Sequence, residues 1–199
     1  MTDTTRSYRM QARAEGVQRT RERILAAARS RFLEMAYDEV RLVDVAADAG
    51  VTQQTLLNHF SSKEGLALAV VDVMGPEIDA LRGPVAPGDV AGFVRGIMRQ
   101  YEALGDANVR LAAVAERIPA LGEGLQLARS RHTAWLERTF GEQLPDDPRQ
   151  RRRVLAALYA VTDVGTWKLL RRDLGHSRAE TTTVLQSLLR AALATTPTP

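Results

Sequence analysis

Residues 42–60 read LVDVAADAGVTQQTLLNHF and contain the pattern required for two short helices that cross at a tight turn. A small residue must lie where two such helices cross, and Ala46 meets this requirement. The turn favours a residue that tolerates a positive φ, and Gly50 follows four positions later. The candidates for the inner apolar faces are Val45, Ala49, Val51 and Leu56. The combination predicts a helix-turn-helix, whereas an ordinary helical hairpin would need only the glycine turn.

The second helix of this segment carries polar side chains suited to the edges of bases. Thr52, directly after the turn, is a favourable N-cap. The outer surface of the helix would present Gln53, Gln54, Thr55 and Asn58. Glutamine and asparagine can pair with adenine edges in the major groove, and threonine can contact a phosphate or a thymine methyl group. We therefore expect this helix to read duplex DNA.

The composition of the chain argues against several other classes of protein. Of its 199 residues, 45% are hydrophobic, which is enough for a full core. No apolar run approaches the roughly 20 residues that span a bilayer, and the N-terminus lacks the apolar stretch of a secretory signal. We therefore expect a cytoplasmic protein without a membrane partner. With no cysteine and three scattered histidines, neither a metal site nor another cofactor is expected. GxSxG and P-loop motifs are missing too, which disfavours an enzyme.

Positive charge is concentrated near the N-terminus. The formal net charge of the chain is +3, yet up to Arg31 eight arginines face only three acidic residues. Two interpretations of this surplus remain open. Arg6, Arg9 and Arg13 can form an arm that reaches the phosphates or the minor groove of DNA, or they can belong to a disordered tail that only aids solubility.

Apolar residues recur at helical spacing almost throughout the chain, which predicts an all-α fold of about nine helices. Breaker residues place the helices at about 17–35, 42–48, 52–59, 62–81, 89–104, 105–119, 122–141, 149–173 and 177–194. Gly75-Pro76 should kink or split the fourth of them. Four segments follow: a flexible basic tail (1–17), a three-helix DNA-binding domain with the helix-turn-helix (18–65), a larger helical effector-binding and dimerisation domain (66–195) and a disordered tail (196–199).

Three stretches together resemble the N-terminal domain of the tetracycline-repressor (TetR) family of regulators. They are RILAAARSRFLEMAY (23–37), VAADAGV (45–51) and TLLNHFSSKEGL (55–66), and the resemblance covers roughly residues 20–72. It implies that Lys63, at the start of the fourth helix, contacts a DNA phosphate that the helix N-terminus can share. Phe60 is expected in the core. For His59, a phosphate contact and a purely local hydrogen bond both remain open.

Three positions depart from the family pattern. Ala36 stands where glycine is usual, at a cost of about 1 kcal/mol if the backbone is left-handed there. Arg41 replaces a capping threonine or serine, which loses a hydroxyl but adds a possible phosphate contact. Leu57 replaces a tyrosine, which removes a hydroxyl contact. The complete set of candidate DNA-binding residues is Arg41, Thr52, Gln53, Gln54, Thr55, Asn58, His59 and Lys63.

The last two predicted helices suggest a homodimer. Apolar residues occur at heptad-like spacing in one of them: Val154, Leu158, Val161, Gly165 and Leu169. Small residues that allow close helix approach lie beside them: Ala156, Ala157 and Ala160. The final helix has one apolar face: Thr181, Val184, Leu185, Leu188, Leu189 and Ala192. Such helices can pack internally or against a twofold mate. The resemblance implies a four-helix bundle between two subunits, and a dimer would suit a pseudo-palindromic operator in double-stranded DNA.

The middle helices are where the resembled family binds a small-molecule effector. The candidate pocket residues are Phe93, Met98, Tyr101, Arg117, His132, Trp135, Tyr159, Asp163 and Trp167, although aromatic residues at helical spacing can also be simple core. Asp163 lies in an apolar stretch, so we expect it to need His132, Arg117 or a cationic ligand as partner. We thus expect a repressor that its effector releases from DNA by changing the separation of its two reading helices. The alternative is a regulator controlled by a protein partner or without ligand.

Overall fold

The computed structural model describes the backbone of residues 2–194 and the side chains of residues 11–194. These residues form helices and turns without a strand, which confirms the all-α prediction. The predicted tail 196–199 and the side chains of Arg6 and Arg9 lie outside the described residues. The chain divides into two compact units, residues 1–73 and 74–199, while the predicted segment bounds remain a prediction.

The N-terminal unit contains α1 (Thr2–Glu34), α2 (Leu42–Asp48), α3 (Gln53–Phe60) and the first part of α4 (Lys63–Arg82). Its core consists of apolar side chains from all four helices: Ile24, Leu25, Ala28, Val45, Ala46, Ala49, Leu56, Phe60, Leu66 and Val70. A short 3₁₀ turn (Tyr37–Glu39) joins α1 to the extended residues before α2.

Helix α1 begins at Thr2, well before the expected start near Val17. Side chains four positions apart support the exposed stretch from Gln11 to Arg19, as they do in isolated helices. Gln11 donates a hydrogen bond to Glu15 at 3.5 Å, and Arg19 pairs with the same carboxylate at 3.7 Å. No proline interrupts the segment, so every residue of it can donate its backbone N–H to the helix.

The C-terminal unit contains α5 (Val90–Ala115), α6 (Pro119–Phe140), α7 (Pro148–Thr162), α8 (Val164–Lys168) and α9 (Arg178–Ala194). A π-helical turn (Leu169–Asp173) continues α8. The core lies between these helices and is rich in aromatic rings: Phe93, Tyr101, Trp135, Phe140 and Trp167. The C-terminal part of α4 also belongs to this unit.

Two expected breaks do not occur. Helix α4 passes through Gly75-Pro76 without being split, and buried residues before and after the pair, Met74 and Arg82, hold it against the core despite the lost hydrogen bond. Helix α5 likewise continues through Gly105. A single helix of 26 residues, ending at Ala115, therefore replaces the two helices predicted at 89–104 and 105–119. Gly105 is buried against Trp167, which shows that this glycine permits close packing.

One helix that was predicted to be continuous is interrupted. The single helix expected at 149–173 ends at Thr162, because Asp163 has an extended backbone with φ −68° and ψ 149°. Its carboxylate accepts a hydrogen bond from the N–H of Gly165 at 2.8 Å and so caps α8. Asp163 therefore needs neither His132, Arg117 nor a cationic ligand as partner.

Candidate functional site

The predicted helix-turn-helix is present, and its turn has the geometry that the sequence indicates. Ala46 is buried in α2, where a larger side chain would push the neighbouring helix away. Gly50 has a φ of +64°. The N–H of Val51 donates to the carbonyl of Ala46 at 2.9 Å and closes the turn. The relation between α2 and α3 is therefore fixed by short-range contacts.

Helix α3 begins with a side-chain cap. Thr52 Oγ1 accepts a hydrogen bond from the N–H of Thr55 at 3.2 Å, as expected for an N-cap. The two threonine hydroxyls also lie 2.9 Å apart. Leu56 and Phe60 are buried on the inner side of the helix. Capping and burial together leave the opposite side of α3 free for a partner.

That opposite side presents amides. Gln53, Gln54 and Asn58 are exposed, while Thr55 and His59 are half-buried. Gln54 Nε2 donates to Asn58 Oδ1 at 3.0 Å, one helical turn further on. An amide pair of this kind retains a free acceptor and free donors, which is the chemistry that an adenine edge requires. The structure thus brings together five polar candidates on α3 and Thr52 at its N-cap.

Lys63 is the first residue of α4, as the resemblance implies. Its Nζ lies 4.4 Å from the centroid of the Tyr37 ring and donates to the carbonyl of Asp38 at 3.4 Å. Partial burial lowers the pKa of Lys63, and the nearby carboxylates of Asp38 and Glu64 oppose this effect. The ammonium group is held by a ring and a neutral carbonyl, so an anion can still compete for it.

The three departures from the family pattern have different structural outcomes. Ala36 has a φ of −66° and a ψ of 147°, so the backbone is extended and the cost of a left-handed alanine does not arise. Arg41 makes no cap; its Nε and Nη2 donate to the two carboxylate oxygens of Asp44, each at 2.8 Å. Leu57 is half-buried. Of the three residues, only Arg41 is a candidate for a phosphate contact, and its exposed side chain is already paired with the Asp44 carboxylate.

The outer side of α2 is acidic because Asp44 and Asp48 lie one turn apart. Arg31 of α1 pairs with Asp48 at 2.6 Å and with Asp44 at 3.7 Å. The arginines lower the pKa values of both carboxyl groups. Two of the cations near the helix-turn-helix are thus neutralised within the unit.

The structure places most candidate pocket residues in the core of the C-terminal unit. Six of them are buried: Phe93, Met98, Tyr101, His132, Trp135 and Trp167. The rings of Phe93 and Trp135 stack with their centroids 3.8 Å apart. Tyr159 is half-buried, whereas Arg117 is exposed beyond the end of α5 and is not part of this group. These positions are consistent with simple core packing for the aromatic rings.

A buried polar network lies inside this core, and of its four members sequence reasoning singled out only His132. We call it the Arg82 network; its members are Arg82, Gln100, His132 and Thr162. Arg82 Nε donates to Gln100 Oε1 at 2.7 Å. Gln100 and Thr162 do lie within largely apolar helix stretches, which is a weak signal of buried hydrogen bonding. Nothing in the sequence around Arg82 distinguishes it from a solvated helix end.

A surface groove of about 400 Å³ lies between α6 and α7. Its lining comprises Thr133, Glu137, Pro148, Arg151, Arg152, Leu155, Ala156 and Tyr159. Tyr159 connects this groove to the core, because its ring meets His132 edge-on with the centroids 5.0 Å apart. The groove is therefore one aromatic ring away from the Arg82 network.

None of the helices between residues 2 and 194 is both long and apolar enough to traverse a bilayer. Within the same part of the chain, no cluster of three or more His, Cys, Asp or Glu side chains is placed to hold a metal ion.

Comparison with known proteins agrees with the geometry of the N-terminal unit. Residues 24–70 match the family model described as bacterial regulatory proteins, tetR family. No curated protein sequence matches the chain. The fold is similar to a tetR-family transcriptional regulator from Streptomyces coelicolor, with 17% identity, a TM-score of 0.70 and 90% of each chain covered.

Two other solved structures are similar over most of their length. GusR from Salmonella enterica is 25% identical, with a TM-score of 0.63, 87% of this chain and 95% of that chain covered. The fatty acid degradation regulator FadR from Bacillus halodurans is 18% identical, with a TM-score of 0.54, 90% of this chain and 97% of that chain covered. Proteins of this family regulate transcription and are not enzymes. The family model shows that residues 24–70 form a DNA-binding domain of the tetR-family type, and the fold of the chain is similar to that of solved TetR-family transcriptional regulators.

Proposed function

We propose that this DNA-binding regulator is a dimeric repressor that recognises a pseudo-palindromic operator and leaves it when a small-molecule effector binds. The observation that carries the proposal is the exposed amide surface of α3, formed by Gln53, Gln54 and Asn58 on a capped and buried helix. Amides of this kind supply direct readout of adenine edges. One helix contacts few base pairs, so a twofold arrangement with half-sites one helical turn apart supplies the remaining specificity.

Within this proposal, phosphate contacts hold α3 in place. Lys63 exchanges its hydrogen bond to the Asp38 carbonyl for a bond to a phosphate oxygen. Further phosphate contacts come from residues on α3 or close to its start: Arg41, Thr52, Thr55 and His59. Charge-assisted contacts with phosphate position the helix but carry no sequence information. The expected effects of Lys63 and of the amides on DNA binding therefore differ in kind.

The test is a footprint on the DNA upstream of the protein's own gene, followed by fluorescence anisotropy with the protected sequence. A Gln53→Ala, Gln54→Ala double variant should bind operator about tenfold or more weakly while non-specific binding is retained. Lys63→Ala should weaken binding to all sequences and reduce the slope of log K against log salt by about 1. Gln126→Ala, an exposed amide on α6, is the matched control and should bind normally.

Operator binding at full strength by a Gln53→Ala, Gln54→Ala, Lys63→Ala variant would contradict the assignment of α3 and Lys63 to the DNA-binding surface. The sign of regulation is tested separately, by expression from the protected promoter with and without the protein. Rising expression on deletion of the gene supports a repressor, and falling expression contradicts it.

The dimer is supported by the outer faces of α7 and α9. Val154, Leu158, Leu185 and Leu189 are buried within the unit, where α7 packs against α9. Exposed residues on α7, α8, the π-helical turn and α9 remain uncovered in a single chain: Ala156, Ala157, Ala160, Gly165, Leu169 and Leu188. Small residues beside exposed leucines allow two helix pairs to approach closely.

A matched pair of variants tests the dimer. Leu188 on α9 is 43% exposed and Leu127 on α6 is 47% exposed, so the two leucines differ in place but not in exposure. Leu188→Arg should shift the sedimentation profile to monomer and weaken operator binding, whereas Leu127→Arg should leave both unchanged. Monomeric wild-type protein at micromolar concentration would contradict the dimer.

The effector mechanism is supported by the polar network and groove of the C-terminal unit. An effector can lower operator affinity only as far as it binds the DNA-free form more tightly than the DNA-bound form. The anisotropy assay, repeated with candidate ligands, measures this coupling directly. A regulator whose operator affinity no ligand changes would instead answer to a protein partner or act without ligand.

A further inference from the structure

Arg82 is a buried cation with neutral partners. It is the last residue of α4 and only 8% exposed. Its guanidinium donates to Gln100 Oε1 at 2.7 Å and lies 3.3 Å from His132 Nδ1, and it stacks over the Trp135 ring at 4.3 Å. Buried charges in proteins are normally paired with an opposite charge, because the loss of hydration is costly. The pairing expected for Arg82 is not supplied by these contacts.

The hydrogen bonds of the Arg82 network all run in one direction. A guanidinium only donates, so His132 Nδ1 must accept and its proton must be on Nε2. Nε2 then donates to Thr162 Oγ1 at 2.8 Å, and the threonine hydroxyl donates to the carbonyl of Leu158 at 2.8 Å. Every acceptor in this series is neutral. The network therefore satisfies hydrogen bonds but does not compensate the positive charge.

Other charges near Arg82 compensate it only in part. Burial is the largest influence and lowers the pKa of Arg82, and the nearby positive Arg138 acts in the same direction. Asp79 acts in the opposite direction, but its side chain is exposed on α4, one turn before Arg82. The ionisable hydroxyls that face the guanidinium belong to Tyr101 and Tyr159, which are uncharged at neutral pH.

A path leads from the surface to this cation. The groove between α6 and α7 combines apolar lining, such as Leu155 and Ala156, with the half-buried ring of Tyr159. That ring contacts His132, the direct neighbour of Arg82. Tyr159 is thus the lining residue of the groove that contacts the neighbour of Arg82.

We propose that the effector of this regulator is an organic acid, whose carboxylate pairs with Arg82 and whose apolar body occupies the groove beside Tyr159. A carboxylate can accept two parallel N–H bonds from a guanidinium, which gives both charge compensation and orientation. This inference rests on the effector mechanism proposed above and adds the chemical class of the ligand. It also replaces the cationic class suggested by Asp163 in the sequence, since that carboxylate is used as a helix cap.

The probes are benzoate and 4-phenylbutyrate, each compared with its uncharged amide, on the full-length protein. Binding is followed by calorimetry and by tryptophan fluorescence, to which Trp135, lying against Arg82, contributes. We expect at least one acid to bind tenfold or more tightly than its amide. Arg82→Met should weaken binding of the acid at least tenfold, and Arg82→Lys should retain the preference for acid over amide. Arg95→Met, at an exposed arginine of α5, is the matched control and should bind like the wild type.

Stability without ligand separates a binding role from a structural one. If the charge of Arg82 is uncompensated, Arg82→Met should unfold at a temperature equal to or above that of the wild type. A large fall in melting temperature for Arg82→Met and Arg82→Lys alike would assign Arg82 a structural role and overturn the proposal. Equal binding of acid and amide, or no binding of either acid at millimolar concentration, would overturn it as well.

The two proposals can fail independently. An acid that binds at Arg82 without changing operator affinity would contradict the release mechanism but support the anion site. Release of operator by an uncharged amide, without binding of either acid, would support the release mechanism but contradict the anion site.

Discussion

Nη2 of Arg82 lies 3.3 Å from Nδ1 of His132, and this contact holds the imidazole neutral within the core of the C-terminal unit. Burial and the positive charge of Arg82 lower the pKa of His132 to about 3. A histidine in the unfolded chain titrates near pH 6.5. Between these two values, the unfolded chain binds more protons than the folded chain.

This relationship predicts how the stability of the C-terminal unit depends on pH. The contribution of neutral His132 is fully present above pH 6.5 and is lost as the pH falls towards 3, with a slope of up to about 1.4 kcal/mol per pH unit. Urea unfolding, followed by tryptophan fluorescence, measures this slope between pH 5 and 7, since both tryptophans lie in the C-terminal unit. His132→Gln should flatten the slope, whereas His176→Gln should not; equal slopes in both variants would contradict the neutral buried imidazole.

Gly105→Ala should destabilise the C-terminal unit by about 1–3 kcal/mol, as overpacking of a core does. A Cβ at this position would lie 2.6 Å from Cη2 of Trp167. The indole cannot easily move away, because its Nε1 donates to Glu102 at 3.1 Å and Arg172 covers its face. The measurement is the free energy of unfolding in urea.

Gly122→Ala is the control for the steric clash expected in Gly105→Ala. The added Cβ meets its nearest neighbour, the carbonyl of Ala115, at an ordinary 3.4 Å. Alanine is also the better helix former, so this variant should be unchanged or slightly more stable. A loss of stability as large as that of Gly105→Ala would mean that the contact with Trp167 is not responsible.

Asp44→Asn should increase the affinity of the N-terminal unit for DNA about threefold to tenfold at moderate salt. The substitution removes a negative charge and releases Arg41, whose guanidinium is otherwise held at two 2.8 Å contacts. One additional phosphate contact should steepen the slope of log K against log salt by about 1. Asp146→Asn, an exposed carboxylate in the loop before α7, is the control. Equal changes in both variants would point to net charge rather than to Arg41.

Thr52→Ala should lower the stability of the N-terminal unit by about 1 kcal/mol, the usual cost of removing an N-cap. The affected bond is the one that Thr52 Oγ1 accepts from the N–H of Thr55 at 3.2 Å. Thr52→Ser keeps the hydroxyl and should retain most of the stability. Thermal unfolding followed by circular dichroism compares the three proteins; a serine variant as unstable as the alanine variant would contradict the capping role.

The N-terminal unit could be predicted in detail because its determinants are local. Ala46, Gly50 and Thr52 act through contacts within six residues of one another, and sequence spacing reports such contacts directly. The family resemblance added the position of Lys63 at the start of α4. The predicted start of α1 was less accurate, because side-chain pairs such as Gln11 and Glu15 extend a helix without any apolar pattern.

The interior of the C-terminal unit could not be predicted because its determinants are distant in sequence. Arg82 and His132 are 50 positions apart, and an arginine before a glycine and a proline looks like an ordinary solvated helix end. Gly105 looked like a helix break because the ring that it accommodates, Trp167, is 62 positions away. Asp163 looked like an isolated buried charge, whereas the local turn that it caps interrupts the helical pattern.

The short connection at Ser61 limits where insertions and deletions can occur in this chain. Ser61 is the only non-glycine residue with a positive φ among the described residues, and with Ser62 it forms the whole connection between α3 and α4. An inserted residue turns a following helix by about 100° and advances it by about 1.5 Å. An insertion at this junction would therefore rotate Leu66 and Val70 out of the core. Insertions and deletions should be excluded here during evolution, whereas the loop at residues 144–147 can accept them.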